Sequence, residues 1–400
     1  MADDGRAAAP FATRGVLGIA AVVAILHCTA TLFSSGYWFD EVYMLAIGRY
    51  HLDWGSADQP PATPALAALA EAVAPASLMV LRLPAVLATT AAVIVAGLIA
   101  RELGCDRRAQ VFTAAAQATG IWAVMVGHWL TPYSLEPVQW MLLVWLLTRW
   151  QRVRDDRLLL VLGLVVGIAV ELVVFAGLAG VALGAYGLVR LLCADEMRPY
   201  RYLGVTFLGL YVVFVATAGR PYYVAGFYAP LVAAGALGLP RRREAGRTPL
   251  RSLVWPAWLL TVAAAAGMFV LSVSSTRSDT PEAIARQAAA AYHGLPADQR
   301  DRAAIVGDSY IVAAYLDGLG PKYGLPTAFS PNRSYGYFPP PAADQDVVLF
   351  VGREPNSLRP YFADLRRVAD IGDDLHAFVL TGQREPWKSL WPRLRTLTVS

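Results

Sequence analysis

Two acidic sites in the chain have the residue types and setting for chemistry. One is the adjacent pair Asp40-Glu41; the other is Asp58, in Asp58-Gln59-Pro60-Pro61. The pair is crowded by Tyr37-Trp38-Phe39 before it and Val42-Tyr43-Met44-Leu45 after it. A carboxylate among apolar residues is costly to desolvate, and beside a membrane it marks function. A carboxylate so placed is a functional candidate by default. A solvated acidic loop is the plain alternative, and the aromatic crowding argues against it. Two other residues carry open readings. Glu136 either orients a substrate or holds a structural pair. His128 either ligates a metal or is a hydrogen-bonded wall residue, and with Asp58 it makes the candidate pair for a divalent ion.

The elements that must position these groups are mostly apolar. The chain has 400 residues, 56% hydrophobic and 16% charged, against about 25% charged in soluble domains. It reads as a polytopic α-helical membrane protein with room for one small soluble domain. The net charge of +4 is no nucleic-acid signal, because the arginines sit in short clusters between apolar runs. The cysteines Cys28, Cys105 and Cys193 show no metal-ligand spacing.

Spans of ~20 apolar residues cross a bilayer. Runs of this kind, some short, are 15–33, 83–100, 110–126, 134–148, 158–174, 177–192, 202–218, 222–239 and 254–273. Alternate loops hold the arginine clusters Arg101, Arg107 and Arg108; Arg149, Arg152, Arg154 and Arg157; Arg190, Arg198 and Arg201; and Arg241, Arg242, Arg243, Arg247 and Arg251. The intervening loops hold only Arg49, Arg82 and Arg220. Positive loops stay cytoplasmic. The expectation is a multi-pass protein of the plasma (inner) membrane, with the N-terminus cytoplasmic and Asp40-Glu41 and the C-terminal segment outside. Residues 1–273 form the membrane domain, with an outer loop over 36–82, and 274–400 form an extracytoplasmic α/β domain.

Local patterns place elements in both parts. Residues 41–50 have helical spacing, and 63–73 form a second helix after Pro60-Pro61; both are expected at the membrane interface, apolar face down. Thr280-Pro281-Glu282 opens a helix through Tyr292. Residues 303–307, 347–351 and 376–380 read as strands, and 310–316 and 358–365 as helices, an alternation that favours a parallel or mixed sheet. Gly307-Asp308-Ser309 is too short a motif to indicate a nucleotide site.

Taken in order, these motifs resemble the GT-C glycosyltransferases of family 39, which include protein O-mannosyltransferases and the aminoarabinose transferase of lipid A. The resemblance rests on Phe39-Asp40-Glu41-Val42-Tyr43, Asp58-Gln59-Pro60-Pro61, Arg82-Leu83-Pro84, Gly127-His128-Trp129-Leu130-Thr131 before Glu136, Gly219-Arg220-Pro221-Tyr222-Tyr223, Tyr323-Gly324-Leu325-Pro326 and Asn332-Arg333-Ser334-Tyr335. It implies inverting transfer of a sugar from a polyprenyl-phosphate donor to a lipid, glycan or protein acceptor outside the membrane, without a nucleotide. Carried over by position, Asp40 is the general base, with Glu41 holding the loop. Asp58 matches an acid near which a metal has been placed, and Gln59 stands where a relative has a phosphate-binding lysine. Glu171 replaces what is often a lysine. Arg220, beside Tyr222 and Tyr223, is a candidate clamp for the donor phosphate, since guanidinium binds phosphate bidentately. The chain looks shortened between the 158–192 pair and Gly219. That shortening, with Glu171, keeps a non-catalytic lipid-binding or scaffold relative as the alternative. A transporter is disfavoured, because no internal repeat is visible.

Overall fold

The computed structural model describes residues 9–52, 56–59, 61–161, 178–216, 227–244, 251–372 and 374–396. Its helices are α1 Thr13–Phe33, α2 Phe39–Tyr50, α3 Ala62–Val73, α4 Leu78–Glu102, α5 Arg107–Ala118, α6 Ile121–Val126, α7 Pro132–Val153, α8 Leu178–Cys193, α9 Arg201–Ala216, α10 Tyr228–Glu244, α11 Arg251–Ser275, α12 Thr280–His293, α13 Tyr310–Leu319, α14 Arg333–Tyr337 and α15 Trp387–Leu394. The strands are β1 Ala303–Gly307, β2 Ala328–Phe329, β3 Val347–Gly352, β4 Phe362–Gly372 and β5 Leu375–Gln383. Two compact units divide the chain: Met1–Phe33 with Arg82–Ser274, and Ser34–Leu81 with Ser275–Ser400. The segment 36–82, expected with the membrane domain, therefore packs, up to Leu81, with the C-terminal segment.

The first unit is helical. Among the described residues three stretches are long and apolar enough to cross a membrane: Thr13–Phe33, Leu78–Glu102 and Trp258–His293. The expected run 110–126 is broken into α5 and α6 at Thr119-Gly120, where glycine disfavours a helix interior. Asp106 caps α5 by accepting from the Ala109 amide at 2.8 Å. Of the other expected runs, residues 162–174, 177, 217–218 and 222–226 lie outside the described residues.

Close backbone approach joins α8 to α10. A Cβ on Gly187 would lie 1.7 Å from the Leu231 carbonyl oxygen, and one on Gly235 would lie 2.3 Å from that of Leu183. Only glycine permits such a crossing. At the end of α4 the Glu102 side chain is fully buried and accepts from Arg149 at 3.2 Å and Arg152 at 2.6 Å.

The second unit is built on a five-stranded sheet of order β2-β1-β3-β5-β4. β1 pairs parallel with β2 and β3, while β5 runs antiparallel to β3 and β4. β1 and β3 are apolar throughout because both faces are covered. Ala303, Ile305, Leu349 and Val351 meet Ile284, Ala288, Val312 and Leu316 of α12 and α13. Ala304, Val306, Val348 and Phe350 meet Trp387, Leu390 and Trp391 of α15. The expected helix 358–365 is instead a short 3-10 turn, Arg359–Tyr361, followed by the edge strand β4.

α2 is buried along nearly its whole length, from Glu41 to Gly48. It rests on α13, where Gly318 admits the Val42 side chain, and on α3, where Gly48 sits against the Pro64 carbonyl. Val42 shares an apolar cluster with Ala285 and Leu319. The face of α2 expected to lie on lipid, with Val42, Leu45 and Ala46, is thus covered by protein. The outward face of α3 does carry exposed apolar residues, Leu69 and Val73.

Candidate active site

Asp40 and Glu41 occupy the first turn of α2, where the helix dipole favours negative charge. Their surroundings differ. Glu41 is fully buried and its Oε2 accepts from the Trp38 amide at 2.9 Å, so this carboxylate closes the helix start. Asp40 is half-buried. It faces Tyr315 of α13, whose hydroxyl is pushed well above the ordinary tyrosine range by burial and then by the Asp40 charge.

One turn along the same face of α2, Tyr43 donates from its hydroxyl to Asp58 Oδ1 at 2.8 Å. Ser334 also donates to Asp58 Oδ1, and Arg333 Nη1 donates to Oδ2 at 3.2 Å. The Ser334 hydroxyl also lies 2.8 Å from that of Ser56. The Arg333 guanidinium lies 4.6 Å from the ring centre of Tyr310, which in turn sits 4.8 Å from that of Tyr43. Burial, with the neighbouring Asp58 charge, drives the Tyr43 hydroxyl well up from its usual pKa.

The other end of α2 is held separately. Arg49 donates to the carbonyls of Asp317 at 3.2 Å and Gly318 at 3.1 Å, and pairs with Glu71 of α3 at 2.8 Å. The buried Asp317 carboxyl accepts from the Ala328 amide at 2.6 Å and the Tyr335 hydroxyl at 2.8 Å. Burial pushes this carboxyl up to about 7. His51 stacks on Phe338 at 3.8 Å, and burial lowers it to about 4.

Of the sequence candidates, Asp40, Glu41, Asp58 and Gln59 fall in this unit; the Gln59 carbonyl accepts from the Ser56 amide at 2.8 Å. His128 and Glu136 belong to the helical unit. His128 is buried with its Nδ1 3.2 Å from that of His27, and Glu136 accepts from Trp140 Nε1 at 2.8 Å. Glu171, Arg220, Tyr222 and Tyr223 lie outside the described residues. Sequence reasoning assigned no role to Tyr43, Arg333, Ser334, Arg49 or Asp317. The signal for three of them was the Phe39–Tyr43 and Asn332–Tyr335 stretches, already singled out as motifs.

The donor set around Asp58 does not fit a divalent cation. Both carboxylate oxygens are engaged by protein donors, and a guanidinium on Oδ2 would repel a second cation there. Among the described residues no group of three His, Cys, Asp or Glu side chains is placed to hold a metal ion.

Residues 58–218 match the family model described as dolichyl-phosphate-mannose-protein mannosyltransferase. The match begins at Asp58 and leaves Asp40-Glu41 outside it. The fold matches that of ArnT from Cupriavidus metallidurans in the apo state, with TM-score 0.52 and 14% identity over 97% of this chain and 100% of that one. The sequence likeness, over 58–218, is to the mannosyltransferases which that family model describes. A structure of the same ArnT bound to undecaprenyl phosphate aligns over 91% of this chain and 97% of that one, with TM-score 0.46 and 14% identity. No curated protein matches in sequence. The family model covers 58–218, less than half of the chain, and the fold is helical and like that of ArnT, with a small C-terminal sheet domain.

Proposed function

We propose that the chain is a membrane glycosyltransferase. It moves a sugar from a polyprenyl-phosphate donor to an acceptor hydroxyl on the extracytoplasmic side of the plasma membrane, with inversion. The donor class is supported by the description of the family model matched over 58–218. The membrane location is supported by the three apolar stretches, and the orientation by the one-sided arginine clusters.

One observation carries the assignment of the base. Of the two adjacent acids, Glu41 is buried and committed to the helix start, while Asp40 is half-buried on the same turn. Asp40 takes the proton of the acceptor hydroxyl as its oxygen attacks the anomeric carbon. The bond from that carbon to the phosphate oxygen breaks on the opposite face, and the polyprenyl phosphate leaves with the electron pair. Arg220, by its guanidinium, is assigned to the departing phosphate, with Tyr222 and Tyr223 beside it.

The test is turnover of labelled polyprenyl-phosphate mannose and related sugars by purified protein. Asp40→Asn keeps size and polarity but cannot take the proton, so kcat falls roughly 10²–10⁴-fold. Turnover near the wild-type rate would remove Asp40 as base. It would bring forward Glu136, or the reading of a lipid-binding relative without catalysis.

A further inference from the structure

The carboxyl ends of the parallel strands are where open α/β sheets bind their ligands. Here β1 leads into Ser309-Tyr310 and β2 into Asn332-Arg333-Ser334. At the end of β2, Arg333 and Ser334 bond the chain's own Asp58, which also accepts from Tyr43.

Arg333 is held in an uncommon backbone state. Its φ is 51°, in the left-handed region that L-residues enter at a cost. The surroundings over-determine it. Its amide donates to the Thr396 carbonyl at 2.7 Å, its guanidinium pairs with Asp58, and the same group lies over Tyr310. Ser334 and Tyr335 beside it are buried. A strained residue kept in place by three separate contacts is expected where position matters more than stability.

The link to the base is short. Asp58 accepts from Tyr43, and Tyr43 stands three residues after Asp40 on one face of α2. We propose that Arg333 is a positioning residue: through Asp58 and Tyr43 it latches the first turn of α2, and so Asp40, to the C-terminal sheet domain. Arg49 pins the far end of α2 to α13 independently, and Val42, near the start of α2, packs on α13, so loss of the latch loosens but does not release the end that carries Asp40. The consequence for catalysis rests on the reading of Asp40 as base, whereas the latch itself does not.

The test is hydrogen exchange on the full-length protein, comparing peptides from α2 with peptides from β1 and β3. Arg333→Ala and Asp58→Ala each speed exchange at 39–45 roughly tenfold or more, the size of a lost charged hydrogen bond. The double variant goes no further than Asp58→Ala alone, because the Arg333 contact runs through that carboxylate. Exchange in 303–307 and 347–352 stays unchanged. Arg333→Gly guards against misfolding, since glycine accepts the left-handed backbone while removing the guanidinium; it keeps the fold and still loosens α2.

Unchanged exchange at 39–45, an additive double variant, or a rise that includes the strands would each overturn the latch. In the turnover assay with polyprenyl-phosphate mannose, Arg333→Gly lowers kcat on the order of 10²-fold with donor KM unchanged, as a misplaced base does. If Asp40→Asn leaves turnover intact while the latch variants still loosen α2, the reading of the base fails and the latch stands.

Discussion

Tyr335 of α14 donates from its hydroxyl to the carboxyl of Asp317 on α13 at 2.8 Å, and both side chains are buried. Burial raises the Asp317 carboxyl from 3.8 to about 7, against the pull of the Ala328 amide, the Tyr335 hydroxyl and the Arg49 charge. The folded state therefore holds a proton that the unfolded chain releases near pH 4. Where the folded state binds more protons, stability falls as pH rises. The loss begins above the unfolded value and is complete above about 7. Thermal unfolding followed from pH 5 to pH 8 is expected to show a falling Tm in the wild type. Asp317→Asn can still accept from Ala328 and donate to Tyr335, so it flattens this slope. A slope unchanged in Asp317→Asn would assign it to other groups.

The contact of α2 with α3 depends on Gly48. A Cβ there would meet the Pro64 carbonyl oxygen at 2.5 Å and the Ala68 amide nitrogen at 3.1 Å. Both are backbone atoms and cannot rotate away. Gly48→Ala should force the helices apart at a cost of about 1–3 kcal/mol, the usual range for overpacking. Chemical denaturation reads this directly; a variant as stable as wild type would mean that α3 shifts freely.

Much of this architecture was legible in local pattern. The helices 39–50 and 62–73 follow from apolar spacing and from the break at Pro60-Pro61, and β1 and β3 from short apolar runs. β4 was not. Leu358, Tyr361, Phe362 and Leu365 have helical spacing, but the segment is an edge strand with one open face, so alternation is weak. Gly372, the last residue of β4 with φ 94°, pairs with Leu375 of β5 and was the missed signal of the hairpin. The Asp58–Arg333 pair joins positions 275 residues apart, and no local periodicity reports such a contact. For the same reason the motif residues Asn332–Tyr335 were visible as a resemblance but not as the partners of Asp58.

In the helical unit the load falls on Glu102. Its side chain has no exposed surface, and two arginines with about a third exposure each bond it. Removing both cations strands a buried carboxylate, and breaking such a group costs roughly 3–5 kcal/mol. The double variant Arg149→Ala, Arg152→Ala should unfold well below wild type in a detergent melt. Glu102→Gln in that background should recover part of the loss, because the neutral amide is cheaper to bury. Absence of recovery would show that the arginines act through packing alone.

Glu41 offers a separation of helix start from chemistry. Its Oε2 accepts the Trp38 amide at 2.9 Å, and the side chain is wholly enclosed. Glu41→Gln preserves an acceptor of the same length, so the first turn of α2 should hold and kcat should fall far less than in Asp40→Asn. Glu41→Ala removes the acceptor and opens a void, and loss of such a cap costs about 1 kcal/mol. Hydrogen exchange at 39–45 should then rise while exchange at 46–50, held by Arg49, stays as in wild type. Turnover should follow exchange across the Glu41 variants, since each acts by moving Asp40. A Glu41→Gln protein with an intact helix start but as little activity as Asp40→Asn would break that relation and assign the proton transfer to Glu41.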